Sequence, residues 1–88
     1  MSFIDRQIEE LSKGRGKHAA INSAHEGYAV ILGELCEFFE EARKDRVGFI
    51  DRGRMLAELV QIAAMAQRTA EDLELIPRGM AHSCEWER

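Results

Sequence analysis

Apolar side chains recur every three or four positions along three stretches of this chain, and between them the period breaks at residues that cap or stop helices. In the first stretch Phe3, Ile4, Gln7, Ile8 and Leu11 share one face, with Ser2 placed to cap its start and Gly14 to end it. This predicts a short helix over about residues 3–12. Ser23-Ala24-His25-Glu26 then has the form of a capping box, the Ser23 hydroxyl accepting from the Glu26 amide and the Glu26 carboxylate reaching back to the Ser23 amide. A second helix starts there and runs to Arg43 or Lys44, its core stripe being Tyr28, Ile31, Leu32, Leu35, Phe38, Phe39 and Ala42. The period is lost over Asp45 to Ile50. A third helix opens near Asp51, carries Met55, Leu59, Ile62, Ala66, Ala70 and Leu73 on one face, and closes before Pro77 and Gly79.

Residues that favour strands are scarce, with three Val and one Thr in 88 positions, so the expected fold is all-α, a small bundle of about three helices in one domain spanning residues 1–88. Residues 78–88 have no period and read as a tail, loosely ordered or docked through Trp86. A chain this short buries only about 60–65 % of the surface it exposes when unfolded. Three helices with wide apolar faces then favour burial against a second copy, so a homo-oligomer is expected.

Sixteen acidic residues against twelve basic ones give a formal charge of −4 without any basic block, which excludes a dedicated nucleic-acid or membrane-surface binder. No apolar run is long enough to span a membrane. The first residues reach charge at once, without an apolar signal core, and Cys36 and Cys84 form no disulfide, redox or zinc pattern; a cytoplasmic protein with reduced thiols is expected. Lys13-Gly14-Arg15-Gly16-Lys17 lacks the order of a Walker A loop and reads as a flexible helix terminator with solvated cations, help in holding a phosphate being the alternative. His18 and His25 read as surface or cap residues.

At about 100° of rotation per residue, Glu37 and Glu41 fall on the same side of Glu34, opposite to Leu35 at the centre of the apolar stripe. Glu34, Glu37 and Glu41 thus form an acidic ridge along one edge of the expected core face. Glu58 stands to Leu59 as Glu34 does to Leu35, and Gln61 follows Glu58 as Glu37 follows Glu34. If the second and third helices pack antiparallel, the two ridges meet. Like charges so placed repel one another unless a cation neutralises them, and a set of oxygen donors without histidine or cysteine suits Mg²⁺ or Mn²⁺.

The string from His25 to Glu41, HEGYAVILGELCEFFEE, followed by Met55 to Ala66, MLAELVQIAAMA, resembles the MazG-type all-α nucleoside triphosphate pyrophosphohydrolases, most of all the short MazG-like proteins of phages and prophages. The likeness spans about residues 23–73. It implies a MazG-like bundle completed as a homodimer or homotetramer, with Mg²⁺ (or Mn²⁺) held by an ExxE and ExxD set while water attacks the α-phosphorus of a nucleoside triphosphate and pyrophosphate leaves. Carried over, the metal positions are Glu34, Glu37, Glu58 and Gln61. Gln61 departs from the pattern, since an amide oxygen can ligate Mg²⁺ but brings no charge. Glu41 is a possible substitute if its side chain reaches, whereas Asp72 lies about 21 Å along the helix from Glu58. Glu37 or Glu41 is the candidate catalytic base. Arg54, Lys17, Arg68 and Arg15 are the cations available to phosphate, Arg54 and Lys17 foremost, with Arg54 also an ordinary i, i+4 partner for Glu58. The alternative function is a weakened or inactive MazG-like module that binds nucleotide or a protein partner, as a phage accessory or host-inhibiting factor would. A plain helical adaptor with a solvated acidic edge is the third.

Overall fold

The computed structural model describes residues 2–44 and 51–76. Three helices make up the described fold: α1 (Phe3–Lys17), α2 (Ala24–Ala42) and α3 (Arg52–Asp72). There is no strand among these residues. The expectations for Asp45 to Ile50 and for residues 78–88, including Trp86 and Cys84, lie outside the described residues.

Each helix begins at the residue its sequence signals. Ser2 Oγ accepts from the Asp5 amide at 3.1 Å while the Asp5 carboxylate accepts from the Ser2 amide at 3.3 Å, a reciprocal box that satisfies two orphan donors of α1. Ser23 caps α2 in the expected way, but the Glu26 carboxylate takes the amide of Asn22 at 2.7 Å instead of that of Ser23. Asp51 caps α3 through the Arg54 amide at 3.0 Å. The helix ends follow tertiary structure more than local propensity. α1 runs five residues beyond the expected stop, through Gly14 and Gly16 to Lys17, because Arg15 is anchored to α3. Two glycines within a helix cost about 1 kcal/mol each, and the anchor offsets that. α3 ends at Asp72 in a Schellman turn, with Leu75 N–H donating to Ala70 O at 2.8 Å and Glu74 N–H to Glu71 O at 3.0 Å. Glu74 occupies the left-handed position that glycine usually fills (φ 60°).

α3 is the central element, packing along both α1 and α2, whose backbones stay apart from each other. Gly27 opposes Thr69, Glu34 and Glu37 oppose Glu58, and Glu41 opposes Arg54, so α2 and α3 are antiparallel. Leu11, Ala64 and Met65 form the core, with Val30 and Ile31 packed on it; Ile21, Val60 and Ile76 are the other buried apolar residues among those described.

α2 is turned from the orientation its apolar stripe suggests. Its inner face is Gly27, Val30, Ile31, Glu34, Phe38 and Glu41, whereas Tyr28, Leu32, Leu35 and Phe39 are 40–64 % exposed. On α3, likewise, Val60, Ala64, Met65, Arg68 and Glu71 are buried, while Leu59 is 40 % exposed and Ala66 also faces out. The close approach at Gly27 fixes this rotation, since a Cβ there would lie 2.6 Å from Thr69 Cγ2. Glu34 and Glu41, expected at the edge of the core face, therefore point at α3, while Tyr28, Leu32, Leu35 and Phe39 of the apolar stripe point outward and Ile31 and Phe38 stay inside.

No described helix is long and apolar enough to cross a membrane, although α2 and α3 have 19 and 21 residues.

Candidate metal and phosphate site

Glu34 and Glu37, one turn apart on α2, meet Glu58 from the second turn of α3, and one carboxylate oxygen of each lies within 4.8 Å of the others. Antiparallel packing produces this convergence from an i, i+3 pair on one helix and a single acid on the next. Glu34 and Glu58 are half-buried and Glu37 is exposed, so the cluster sits at the surface with one side open to solvent.

The charge state reports the crowding. Glu34 is pushed above the ordinary glutamate range first by burial, then by repulsion from Glu37, Glu58 and Glu10. Glu58 rises for the same first reason, then through the charge of Glu37 and a hydrogen bond with it, and Arg54 only partly counteracts this. The donor chemistry fits a hard divalent cation: three carboxylates, no sulfur or imidazole, and an open side for water or a further ligand. Oxygens around one Mg²⁺ sit about 3–4 Å apart, and the three carboxylate oxygens here lie within 4.8 Å of one another.

The other residues singled out from the sequence are placed as follows. Gln61, one turn beyond Glu58, donates from Nε2 to Glu10 Oε1 on α1, outside the three-carboxylate cluster. Glu41 is 4 % exposed, and its Oε2 accepts from Lys44 Nζ at 3.1 Å and forms an ion pair with Arg54 Nε at 2.8 Å. Its Oε1 is buried without a hydrogen-bond partner. Arg54 is therefore held by Glu41 across the two helices, rather than simply paired with Glu58 on its own helix. Cys36 is a free, exposed thiol. Phe39, read from its spacing as core, is 59 % exposed, whereas Met65 is buried.

Two features had no counterpart in the sequence reading. One is an ion network at the far end of α3. Arg15 Nη2 donates to Glu71 Oε1 and Nη1 to Asp72 Oδ1, both at 2.7 Å, and those two carboxylates are 1 % and 0 % exposed. Asp72 also accepts from the Ile21 amide at 2.9 Å and lies 3.6 Å from Arg68 Nε, while Arg68 Nη2 donates to Ala19 O. Arg15 is thus a structural tie, where a solvated cation had been expected. Only the i, i+4 pair Arg68 and Asp72 leaves a local trace in the sequence. The second feature is a cleft of about 210 Å³ that starts at Glu34 and runs along α1, with Lys17 and His18 in its wall.

Compared with known proteins, the chain matches no family model, and neither a curated protein nor a solved structure matches it.

Proposed function

We propose that this chain is a divalent-cation-dependent nucleoside triphosphate pyrophosphohydrolase of the MazG-like type, cleaving a nucleoside triphosphate to the monophosphate and pyrophosphate in the cytoplasm. The observation that carries the reading is the convergence of Glu34, Glu37 and Glu58 from two antiparallel helices, with Glu34 and Glu58 held above the ordinary carboxylate range by burial and mutual repulsion. The resemblance over residues 23–73, carried by the same acids, implies the same chemistry.

Bound Mg²⁺ or Mn²⁺ would supply charge neutralisation for the triphosphate and for the developing oxyanions. Glu34 and Glu58 would hold the ion, because both are half-buried and carried on helices packed against each other. Glu37 has the exposure a base needs and orients or deprotonates the attacking water. Glu41 is less suited to that role, since Arg54 and Lys44 occupy one of its oxygens and protein encloses the other. Its part is to hold Arg54 beside Glu58.

A homo-oligomer, dimer or tetramer, belongs to the same reading. Tyr28, Leu32, Leu35 and Phe39 recur at spacings of three and four along the outer face of α2, and such a contiguous apolar stripe is characteristic of an interface. A second copy of the chain covers it, completing a core to which one chain contributes few buried apolar residues. Leu35→Glu should shift the protein to monomers in sedimentation equilibrium; an unchanged mass would remove this assignment.

The enzymatic reading is tested by incubating the purified full-length chain with Mg²⁺ or Mn²⁺ and a panel of ribo- and deoxyribonucleoside triphosphates and following pyrophosphate. Absence of release from every member refutes it. A second reading, the attenuated nucleotide- or partner-binding module, is favoured by one observation: Gln61 is neutral and engaged with Glu10. Cation-dependent hydrolysis that appears only in Gln61→Asp would select that reading over the first.

A further inference from the structure

Among the cations that could approach a phosphate, the fold separates the engaged from the available. Arg15 is locked to Glu71 and Asp72, and Arg54 to Glu41. Lys17 and His18, at the end of α1, line the cleft, and their side chains make no hydrogen bond or ion pair with described residues. Lys13, one turn before Lys17 and on the same face of α1, also lines it, held only by a long contact of 3.4 Å to Glu10. The inner wall includes Arg68, 5 % exposed, whose buried Nε–H has no hydrogen-bond partner and only the 3.6 Å ion pair with Asp72.

The acids of the cleft are Glu10 and Glu34. Glu10 is already engaged by Gln61 and Lys13, and Glu34 belongs to the carboxylate cluster. With a cation on Glu34, Lys13, Lys17 and Arg68 outnumber Glu10, the one acid left in the wall. The negative end of the α1 dipole opposes an anion there, and two ammonium groups on the last turns of that helix outweigh it because each carries a full charge. At about 210 Å³ the cleft is smaller than the roughly 300–1,000 Å³ of sites that enclose a whole drug-sized ligand. It has room for linked phosphates but not for a nucleoside as well.

We propose that this cleft, walled by Lys13, Lys17, His18 and Arg68 and opening onto Glu34, seats a diphosphate group: the terminal phosphates of a polyphosphate ligand and the pyrophosphate that leaves. The proposal rests on the reading of Glu34, Glu37 and Glu58 as a cation site and orients the ligand on it, terminal phosphates along α1 and the nucleoside directed away from this cleft. Recognition at the seat is therefore blind to the base.

The test is titration calorimetry of the full chain with inorganic pyrophosphate in Mg²⁺ buffer, and separately with Mg²⁺ alone. The wild type should bind pyrophosphate, with affinity that falls as salt rises, and Lys13→Gln/Lys17→Gln should weaken it tenfold or more while leaving affinity for Mg²⁺ alone unchanged. Both lysines are exposed, so the double variant should fold normally. Pyrophosphate affinity unaltered in the double variant, or no binding to the wild type, overturns the seat even if Mg²⁺ binds. Lysine-dependent pyrophosphate binding without any Mg²⁺ binding upholds the seat and defeats the metalloenzyme reading. Inorganic tripolyphosphate should bind within severalfold of the nucleoside triphosphates; a tenfold or greater preference for one base shows that the seat does not govern recognition.

Discussion

α3 carries acids at both ends of its buried face, and the two ends treat them oppositely. Glu71 and Asp72, in the last turn, are almost wholly buried and matched by Arg15 and Arg68. Glu58, in the second turn, is less buried yet faces Glu34 and Glu37 with only partial relief from Arg54. The helix dipole would favour the reverse, since carboxylates are disfavoured near a C-terminus and welcome near an N-terminus. Compensation by side chains, rather than burial or position on the helix, therefore separates an acid that fastens the fold from one that is left with unmet charge. About 21 Å of helix separates the two clusters, so each can be altered without touching the other.

The largest effect should come from unmaking the compensated end. Arg15→Ala removes both 2.7 Å contacts and takes from buried Glu71 and Asp72 the guanidinium they share. Breaking a buried pair in this way costs about 3–5 kcal/mol, a large share of the roughly 4–13 kcal/mol a domain of this length possesses. Urea unfolding followed by circular dichroism should show a far lower midpoint. A change under 1 kcal/mol would mean that the remaining contacts of the two acids compensate them without Arg15.

At the uncompensated end the same kind of change should leave the fold standing and remove function. Glu34→Gln and Glu58→Gln each delete a charge that the free protein holds at a disadvantage, so neither should lower the unfolding midpoint. Each should cut cation-dependent turnover by about a hundredfold or more, equivalent to about 2.7 kcal/mol. Full activity in both variants would detach the cluster from the chemistry.

Gly27→Ala probes how the helix faces are set. The added Cβ meets Thr69 Cγ2 at 2.6 Å, and Thr69 is a stiff β-branched residue whose hydroxyl already donates to Met65 O at 2.8 Å. Overpacking of this kind costs about 1–3 kcal/mol. Because α2 must back away from α3 or rotate, Mg²⁺ affinity should fall together with stability. A loss of stability alone would show that the two ends of the α2–α3 contact are mechanically independent.

These contrasts also explain which parts of the molecule could be read from sequence. Helix starts were legible because Ser2, Ser23 and Asp51 act on amides only three residues away. The cluster of Glu34, Glu37 and Glu58 was legible because it needs only helical phase and one antiparallel contact. The end of α1 was not, since Arg15 acts on residues 56 and 57 positions away, and no local pattern marks such a tie. The rotation of α2 was hidden for a different reason. Hydrophobic periodicity identifies a face that seeks burial, not which partner buries it, and here α3 takes the face of Gly27, Ile31, Glu34, Phe38 and Glu41 while Tyr28, Leu32, Leu35 and Phe39 stay outside.

The smallest effect, and the one that most sharpens the contrast between the ends of α3, is the pH dependence of the cation-free protein. Glu34 and Glu58 have folded-state values raised above the ordinary 4.5 by burial and then by neighbouring carboxylates. Between that value and the raised one, the folded chain binds more protons than the unfolded chain. Stability therefore falls as pH rises through this window, the reverse of the usual acid-denaturation slope. The contribution of these two groups is fully present below about pH 4.5 and lost above their raised values. Solvent screening at this half-open site keeps the effect small. Thermal melts in chelator should thus show a shallow decline in Tm from pH 5 towards neutrality, superimposed on the ordinary titration of the other acids. Glu34→Gln/Glu58→Gln should flatten that component, and Mg²⁺ should raise Tm at neutral pH while doing little near pH 4.5, where protons compete for Glu34 and Glu58. A wild-type profile identical to that of the double variant, with or without Mg²⁺, would mean that the three carboxylates carry no strain for a cation to relieve.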